Sequence, residues 1–162
     1  MISLRIREAI SSDRAAILQL VPRLRAFGTP PFHSAADLDA GECRTIDRYF
    51  DARPDGTQLW VAEHTAPAIA GAAYAQQMID YFTQKPHAHL GILVVAEHSE
   101  GLGVARALMR QVEDWARANG LKMLTLNVFA TNERARGFYE HVGFDRDIVR
   151  YAKSIDGAVG SP

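Results

Sequence analysis

At 162 residues, 48% of them apolar, and with a formal charge of −1, the chain has the size and composition of one domain whose core needs no disulfide or metal staple. The near-cancelling charge leaves no footprint for a nucleic acid or an anionic membrane, and no run approaches the roughly 20 apolar residues that span a bilayer. The single cysteine, Cys43, has no partner for a disulfide or a zinc site and reads as a small, partly buried side chain in a reducing compartment, so the expected location is cytoplasmic.

Residues 1–8 alternate charged and apolar side chains too early for the core of a signal peptide, and Leu4 and Ile6 read as a first strand. Ser11, Ser12 and Asp13 supply cap-type side chains for a helix carrying Ile17, Leu18, Val21 and Leu24. Residues 28–33 break that pattern, and a second helix is expected over 35–49 before the Arg53-Pro54-Asp55-Gly56 turn. Residues 57–63 and 68–75 read as an antiparallel pair around a turn containing Pro67. After a loop over 80–86, residues 90–95 form a nearly continuous apolar run, as for a strand buried on both faces.

Gly101-Leu102-Gly103-Val104-Ala105 follows that strand and opens a helix with Val104, Leu108, Val112 and Trp115 at helical spacing, closed by Asn119-Gly120. Glycines let backbone N–H groups approach an anion, and a helix N-terminus presents unpaired donors with a favourable dipole, so the segment can seat a diphosphate. It lacks the Lys followed by Ser or Thr of a P-loop, which argues against a nucleoside-triphosphate enzyme. Residues 121–129 are β-rich, 132–141 read as a short helix, and 144–152 as a returning strand with Ile148, Arg150 and Ala152 in alternation. Tyr139 lies within the short helix, a weak acid held near whatever the glycine segment binds. Phe138 and Phe144 read as core and Gly143 as the residue that ends the helix. The expected organisation is one domain over 1–153 and a fraying tail over 154–162.

Glu100-Gly101-Leu102-Gly103-Val104-Ala105, together with Asn132, Ala135, Phe138, Tyr139, Gly143 and Phe144, resembles the GNAT superfamily, enzymes that move an acyl group from acyl-coenzyme A to an amine or related nucleophile. The resemblance implies an α+β fold of three layers. Its sheet would be mixed and mostly antiparallel, with helices on both faces and a splayed strand pair at the coenzyme site. It implies acetyl-CoA as co-substrate and no metal. Backbone N–H groups from Leu102 to Arg106 would face the pyrophosphate, with Gly101 and Gly103 keeping side chains out of its way. Leu93, Val94 and Val95 would border the pantetheine arm, Leu93 and Val95 offering free backbone groups and the N–H of Leu93 stabilising the oxyanion. Asn132 would hydrogen-bond the coenzyme, although an Asn there is also a good helix cap. Tyr139 would protonate the leaving thiolate, an undemanding transfer between groups whose ordinary pKa values differ by about two units.

Two positions depart from the family pattern. Glu100 stands where Arg or Gln is favoured, and a carboxylate about 4 Å from a phosphate costs about 1 kcal/mol in water and about 4 at intermediate dielectric. Glu100 is expected to point to solvent, with Arg106 or Arg110 compensating, and Glu100→Gln to tighten binding at low salt. Many relatives also carry a strand carboxylate near the positions of Gly91 and Ile92. Here His89, two residues before Gly91 and therefore expected on the same face, is the candidate base, direct or through water. His87, Asp80, Tyr81 and Glu97 are weaker candidates, and His87 with His89 lacks a third ligand for a metal. Phe32, His33, Asp80, Tyr81 and Phe82 lie in connectors that border the acceptor pocket of the resembling fold.

Two functions compete at this stage. One is an N-acetyltransferase working by direct attack in a ternary complex, with a polyamine, an aminoglycoside-like amine, an amino acid or a peptide N-terminus as acceptor. The other is a CoA-binding regulatory module that has lost turnover. Relatives often dimerise, so a homodimer is implied, with neither nucleic acid nor membrane as partner.

Overall fold

Small and apolar residues alternate along the central strands so that each strand serves two cores at once. In the computed structural model, which describes residues 4–64 and 68–155, five strands form one sheet in the order β1 (Arg5–Glu8), β2 (Thr57–Glu63), β3 (Ile69–Ile79), β4 (Pro86–Val95), β5 (Leu124–Leu126). The first four are antiparallel neighbours, and β5 joins β4 in parallel. This is the mixed, mostly antiparallel sheet that the resemblance implied. The expected turn at Pro67 and most of the expected tail lie outside the described residues.

Leu59 and Val61 face one way, into a core closed by Ile17 of α1 (Arg14–Leu20) and Ile46 and Tyr49 of α2 (Ala35–Ala52). Trp60 and Ala62 face the other, against Leu108, Met109 and Val112 of α3 (Val104–Ala118). Phe138 and Tyr139 of α4 (Glu133–His141) pack on that second core. Half-buried Cys43 packs against the first core, as expected. Helix α1 stops at Leu20 and tightens into a 3-10 turn over Val21–Arg25, short of the expected Leu24, because Pro22 has no N–H to give the Leu18 carbonyl. Ser34 caps α2, its Oγ accepting from the Asp37 N–H at 3.1 Å.

Strand β4 and helix α3 both close on Gly71, which has no side chain. A Cβ there would fall 2.6 Å from the Val94 carbonyl oxygen and 2.9 Å from Val104 Cγ1. Since both neighbours are fixed, Gly71→Ala is expected to destabilise the fold by about 1–3 kcal/mol, a drop of roughly 3–10 °C in Tm by thermal denaturation. An unchanged Tm would show that the helix floats over the sheet.

The strand expected over 144–152 does not form. The segment is irregular, and Ile148, Val149 and Tyr151 stand exposed. Alternation supplies β-propensity, but a strand also needs a neighbour that buries one of its faces, and no strand among the described residues pairs with it. The β-rich stretch 121–129 likewise pairs only over Leu124–Leu126. No helix among the described residues is long and apolar enough to cross a membrane.

Candidate active site

Pairing between β4 and β5 runs through Ala88–Leu124, His89–Thr125 and Leu90–Leu126, and there it stops. Beyond it Asn127, Val128 and Phe129 leave the strand, and a cleft of about 590 Å³ opens against Leu93, Val94 and Val95. A bulge lies at this point. Tyr74 pairs with Ile92 and Ala75 with Leu90, which leaves Gly91 as the extra residue. The extra residue reverses the alternation: Leu90 packs on the α3 side, whereas Ile92 and Val94 pack on the α1/α2 side. His89, opposite Leu90, therefore faces α2 and shares that side with Gly91, as the period-two step expects; the alternation breaks only between Gly91 and Ile92. The backbone obeys the same shift. Ala96 N–H donates to Ala70 O at 2.8 Å, so alternation turns the N–H groups of Leu93 and Val95 away from β3 and into the gap.

At one end of the cleft stands the glycine turn. Gly101 (φ 76°) and Gly103 (φ 79°) are both left-handed, and a Cβ on either would meet nothing within 4 Å, so glycine answers the backbone conformation and leaves the space above the turn open. Ala107 is the first N–H of α3 to bond back, to Gly103 O at 3.0 Å. That leaves the N–H groups of Val104, Ala105 and Arg106 without helical acceptors, and all three residues line the cleft. Leu102 differs from expectation: its N–H is turned to Ser99 O at 3.4 Å and its side chain is exposed away from the cleft.

Ser99, unrecognised in the sequence, is fully buried, lines the cleft and has a hydroxyl with no hydrogen-bond partner. An orphaned buried hydroxyl beside three free N–H groups fits an anionic group of the coenzyme.

Glu100 is not turned to solvent. Arg23, from the turn after α1, and Arg134 of α4 both hold it, the latter at 2.9 Å. The Arg134 hydrogen bond foremost, with the charge of Arg23 behind it, keeps the Glu100 carboxyl below its ordinary range. Arg134 also stacks 4.6 Å over the Phe27 ring, and Arg23 reaches Glu97 at 3.7 Å. Compensation thus comes from Arg23 and Arg134, not from Arg106 or Arg110. Two guanidinium groups stand against the carboxylates of Glu100 and Glu97, so Glu100→Gln would free two organised arginines rather than relieve a bare repulsion.

On the opposite wall, Asn132 caps α4 through Oδ1, which accepts the Ala135 N–H at 3.1 Å, and it also lines the cleft. Tyr139 lines the cleft with its ring held edge-on between Phe138 and Phe144, centroids 5.4 and 5.8 Å away. The helix ending fixes this arrangement. Gly143 is left-handed (φ 100°) and the Phe144 N–H returns to the Tyr139 carbonyl at 3.0 Å, a closure that brings those two side chains together. Burial pushes the Tyr139 phenol up to about 12.

At the other end His89 lines both the cleft and a side cavity of about 150 Å³. Its Nδ1 lies 2.8 Å from Thr125 Oγ1, and the Thr125 hydroxyl donates to Ala88 O at 3.4 Å. Nδ1–H is therefore the donor to Thr125, and Nε2 keeps its lone pair. Burial first, then the nearby His87, lowers the His89 pKa and favours the neutral ring. A carboxylate at Gly91 would press on Tyr74, because a Cβ there would lie 3.1 Å from Tyr74 Cδ1 and the ring would have to shift.

A carboxylate arrives from elsewhere: Glu42 of α2 lines both the cleft and the side cavity, and burial pushes its pKa up. Sequence reasoning passed over it, though a signal exists. Glu42 is four residues before Ile46 and seven before Tyr49, both buried, so a carboxylate sits on the core-facing stripe of the helix.

The other candidates fall outside both cavities. His87 is buried beneath β4 with Nδ1 unpartnered. Asp80 accepts the Thr83 N–H at 2.7 Å in the β3–β4 turn, and Tyr81 and Phe82 at its tip are 82% and 78% exposed. Phe32 is exposed before α2, and His33 stands one layer out, 6.1 Å from the Phe129 ring that lines the cleft. No group of three His, Cys, Asp or Glu among the described residues is arranged to hold a metal.

An open mixed sheet whose β4 and β5 part beside a glycine-opened helix defines the acyltransferase class of fold. Residues 23–144 match the Acetyltransferase (GNAT) family, and the chain belongs to that family. It is 30% identical over 154 residues to the uncharacterised N-acetyltransferase YhfO of Bacillus subtilis (strain 168), covering 93% of this chain and 97% of that protein. It is also 30% identical over 120 residues to mycothiol acetyltransferase of Beutenbergia cavernae, covering 74% of this chain but only 38% of that longer protein. Among solved structures, aminoglycoside N-acetyltransferase AAC(6')-Iy in complex with CoA superposes with a TM-score of 0.72 at 19% identity, over 94% of this chain and 96% of that one. Glucosamine-6-phosphate N-acetyltransferase of Arabidopsis thaliana does so with 0.68 at 17%, over 95% and 99%.

Proposed function

We propose that the chain is an acetyl-CoA-dependent N-acetyltransferase in which an amine attacks the thioester directly in a ternary complex. The observation that carries this is the continuity of the cleft: one slot runs from the free N–H groups of Val104, Ala105 and Arg106 to the imidazole of His89. Family membership supports acyl transfer, and the relatives' printed names span chemically unlike acceptors, so they do not choose one for this chain.

Acetyl-CoA supplies the activated acyl group. Its diphosphate is received by the α3 N-terminus, the Ser99 hydroxyl and the guanidinium groups of Arg23 and Arg134. The gap-facing groups of Leu93 and Val95 take the pantetheine arm as an added strand, and Asn132 is a further polar contact on the opposite wall. The Leu93 N–H donates to the carbonyl oxygen as it gains charge, a donor whose worth rises in a site closed to water. The amine nitrogen forms a bond to the acyl carbon as the C–S bond breaks. His89 Nε2 takes the amine proton, and Tyr139 O–H donates toward the departing sulfur.

The phenol at about 12 stands about 3.5 units above an ordinary thiol, a wider gap than the sequence alone suggests. Desolvation in the same cleft raises the thiol as well, which narrows the difference. Tyr139 is thus a hydrogen-bond donor that gives up its proton late. A module without turnover loses its support, because arginines hold Glu100 and α2 brings a carboxylate to the site. Thiol release from acetyl-CoA over a broad panel of amines, with acetylated product identified by mass, tests the proposal. Amine-dependent release is expected; stoichiometric CoA binding with no acetylated amine across the panel would leave the binding module as the function.

A further inference from the structure

The side cavity is polar, and its two charged walls come from one helix. Glu42, Thr45 and Arg48 of α2 face Tyr74 and Gln76 of β3, with His89 at the junction with the cleft. Resting on the acyltransferase reading, we propose that the acceptor is a primary amine carrying an anionic group at its far end, with its ammonium on Glu42 and its anion on Arg48.

The other acids of α2 are already committed. Asp37 accepts the Ser34 hydroxyl, Asp39 is held by Arg25, and Asp47 and Asp51 by Arg14. Neither Glu42 nor Arg48 enters an ion pair among the described residues. A half-buried carboxylate with no cation beside it is costly until one arrives, and burial alone accounts for its raised pKa. The ammonium of an acceptor supplies that cation next to His89, which is where an amine must lie to lose its proton and reach the thioester.

Arg48 stands at the exposed end of the same cavity, its charge felt by the Tyr74 phenol. Six residues along a helix amount to about 9 Å of rise, which suits an amine and an anion several bonds apart. A volume of about 150 Å³ equals about five waters at their liquid volume, enough for a short chain and too little for a large polycation. A diamine would bring its second ammonium against Arg48, so the same arginine that attracts an anion rejects a polyamine.

The test uses the whole chain saturated with CoA and four probes: 4-aminobutanoate, O-phosphoethanolamine, n-butylamine and putrescine. Calorimetry is expected to show at least one anionic amine bound ten times more tightly than butylamine or putrescine, and which of the two leads tells carboxylate from phosphate. Arg48→Gln, an exposed position that leaves the core intact, is expected to bring all four within threefold of one another without changing CoA affinity. Glu42→Gln is expected to weaken the favoured amine about tenfold. Equal or tighter binding of butylamine or putrescine, a preference that survives Arg48→Gln, or no binding of either anionic amine would overturn the assignment. Acetylation rates on the same probes separate the two levels. Anionic amines bound but never acetylated would refute acyl transfer and spare the pocket. Butylamine acetylated as well as the anionic amines would spare acyl transfer and refute the pocket.

Discussion

Replacing Tyr139 with Phe is expected to lower kcat by about 10²-fold while CoA affinity stays within about threefold. The ring's packing against Phe138 and Phe144 survives the change, because only the oxygen is removed, so the cleft keeps its shape. What is lost is the donor to the departing sulfur, an interaction made as the C–S bond lengthens and therefore read in kcat rather than in binding. Steady-state rates and calorimetry on the variant check both halves, and unchanged turnover with chemistry limiting the rate would remove Tyr139 from the mechanism. The elevated phenol adds a second expectation. Since burial holds the proton on Tyr139 up to about pH 12, wild-type kcat should show no alkaline loss from this group through pH 10, where an ordinary tyrosine is half ionised.

How far such a site can be read from the chain depends on the range of the physics involved. The glycine turn and the helix after it were legible because left-handed backbone and a 3.6-residue period are local properties, written in Gly101, Gly103, Val104, Leu108 and Val112. Tyr139 was legible for the same reason: a short helix ending in Gly143 fixes the face it occupies. Glu42 could have been read too, as a carboxylate in register with Ile46 and Tyr49.

Other features had no local signature. The Gly91 bulge brings that residue against Tyr74 of a neighbouring strand, which takes the space a Cβ would need. Glu100 is neutralised by residues 77 and 34 positions away. The alternation over 144–152 misled because pairing, which sequence periodicity does not contain, decides whether a strand forms. Aromatic residues drew notice to the β3–β4 turn, whereas the polar cavity proposed for the acceptor lies between the sheet and α2.

The second large effect is expected at His89, and its sign follows from burial. Desolvation, then His87, lowers its pKa, and a base works only when neutral, so wild-type kcat at saturating acceptor should rise with pH through a midpoint below about 6.5 and be flat by pH 7. In His89→Gln that step should vanish and kcat at pH 7 fall about 10²-fold. The plateau gives way to a rise continuing toward the amine's own pKa, because free amine must then be drawn from solution. Glu42, whose pKa burial raises, acts on acceptor binding and is read in KM. Stability carries the same signature by linkage. Between the lowered folded pKa and about 6.5 the unfolded chain binds more protons, so stability at this group rises with pH and is lost on acidification. The wild type should therefore lose more Tm than His89→Gln between pH 7 and pH 5.5. A variant that keeps both the acid limb of kcat and the full acid loss of Tm would place the titrating base elsewhere than β4.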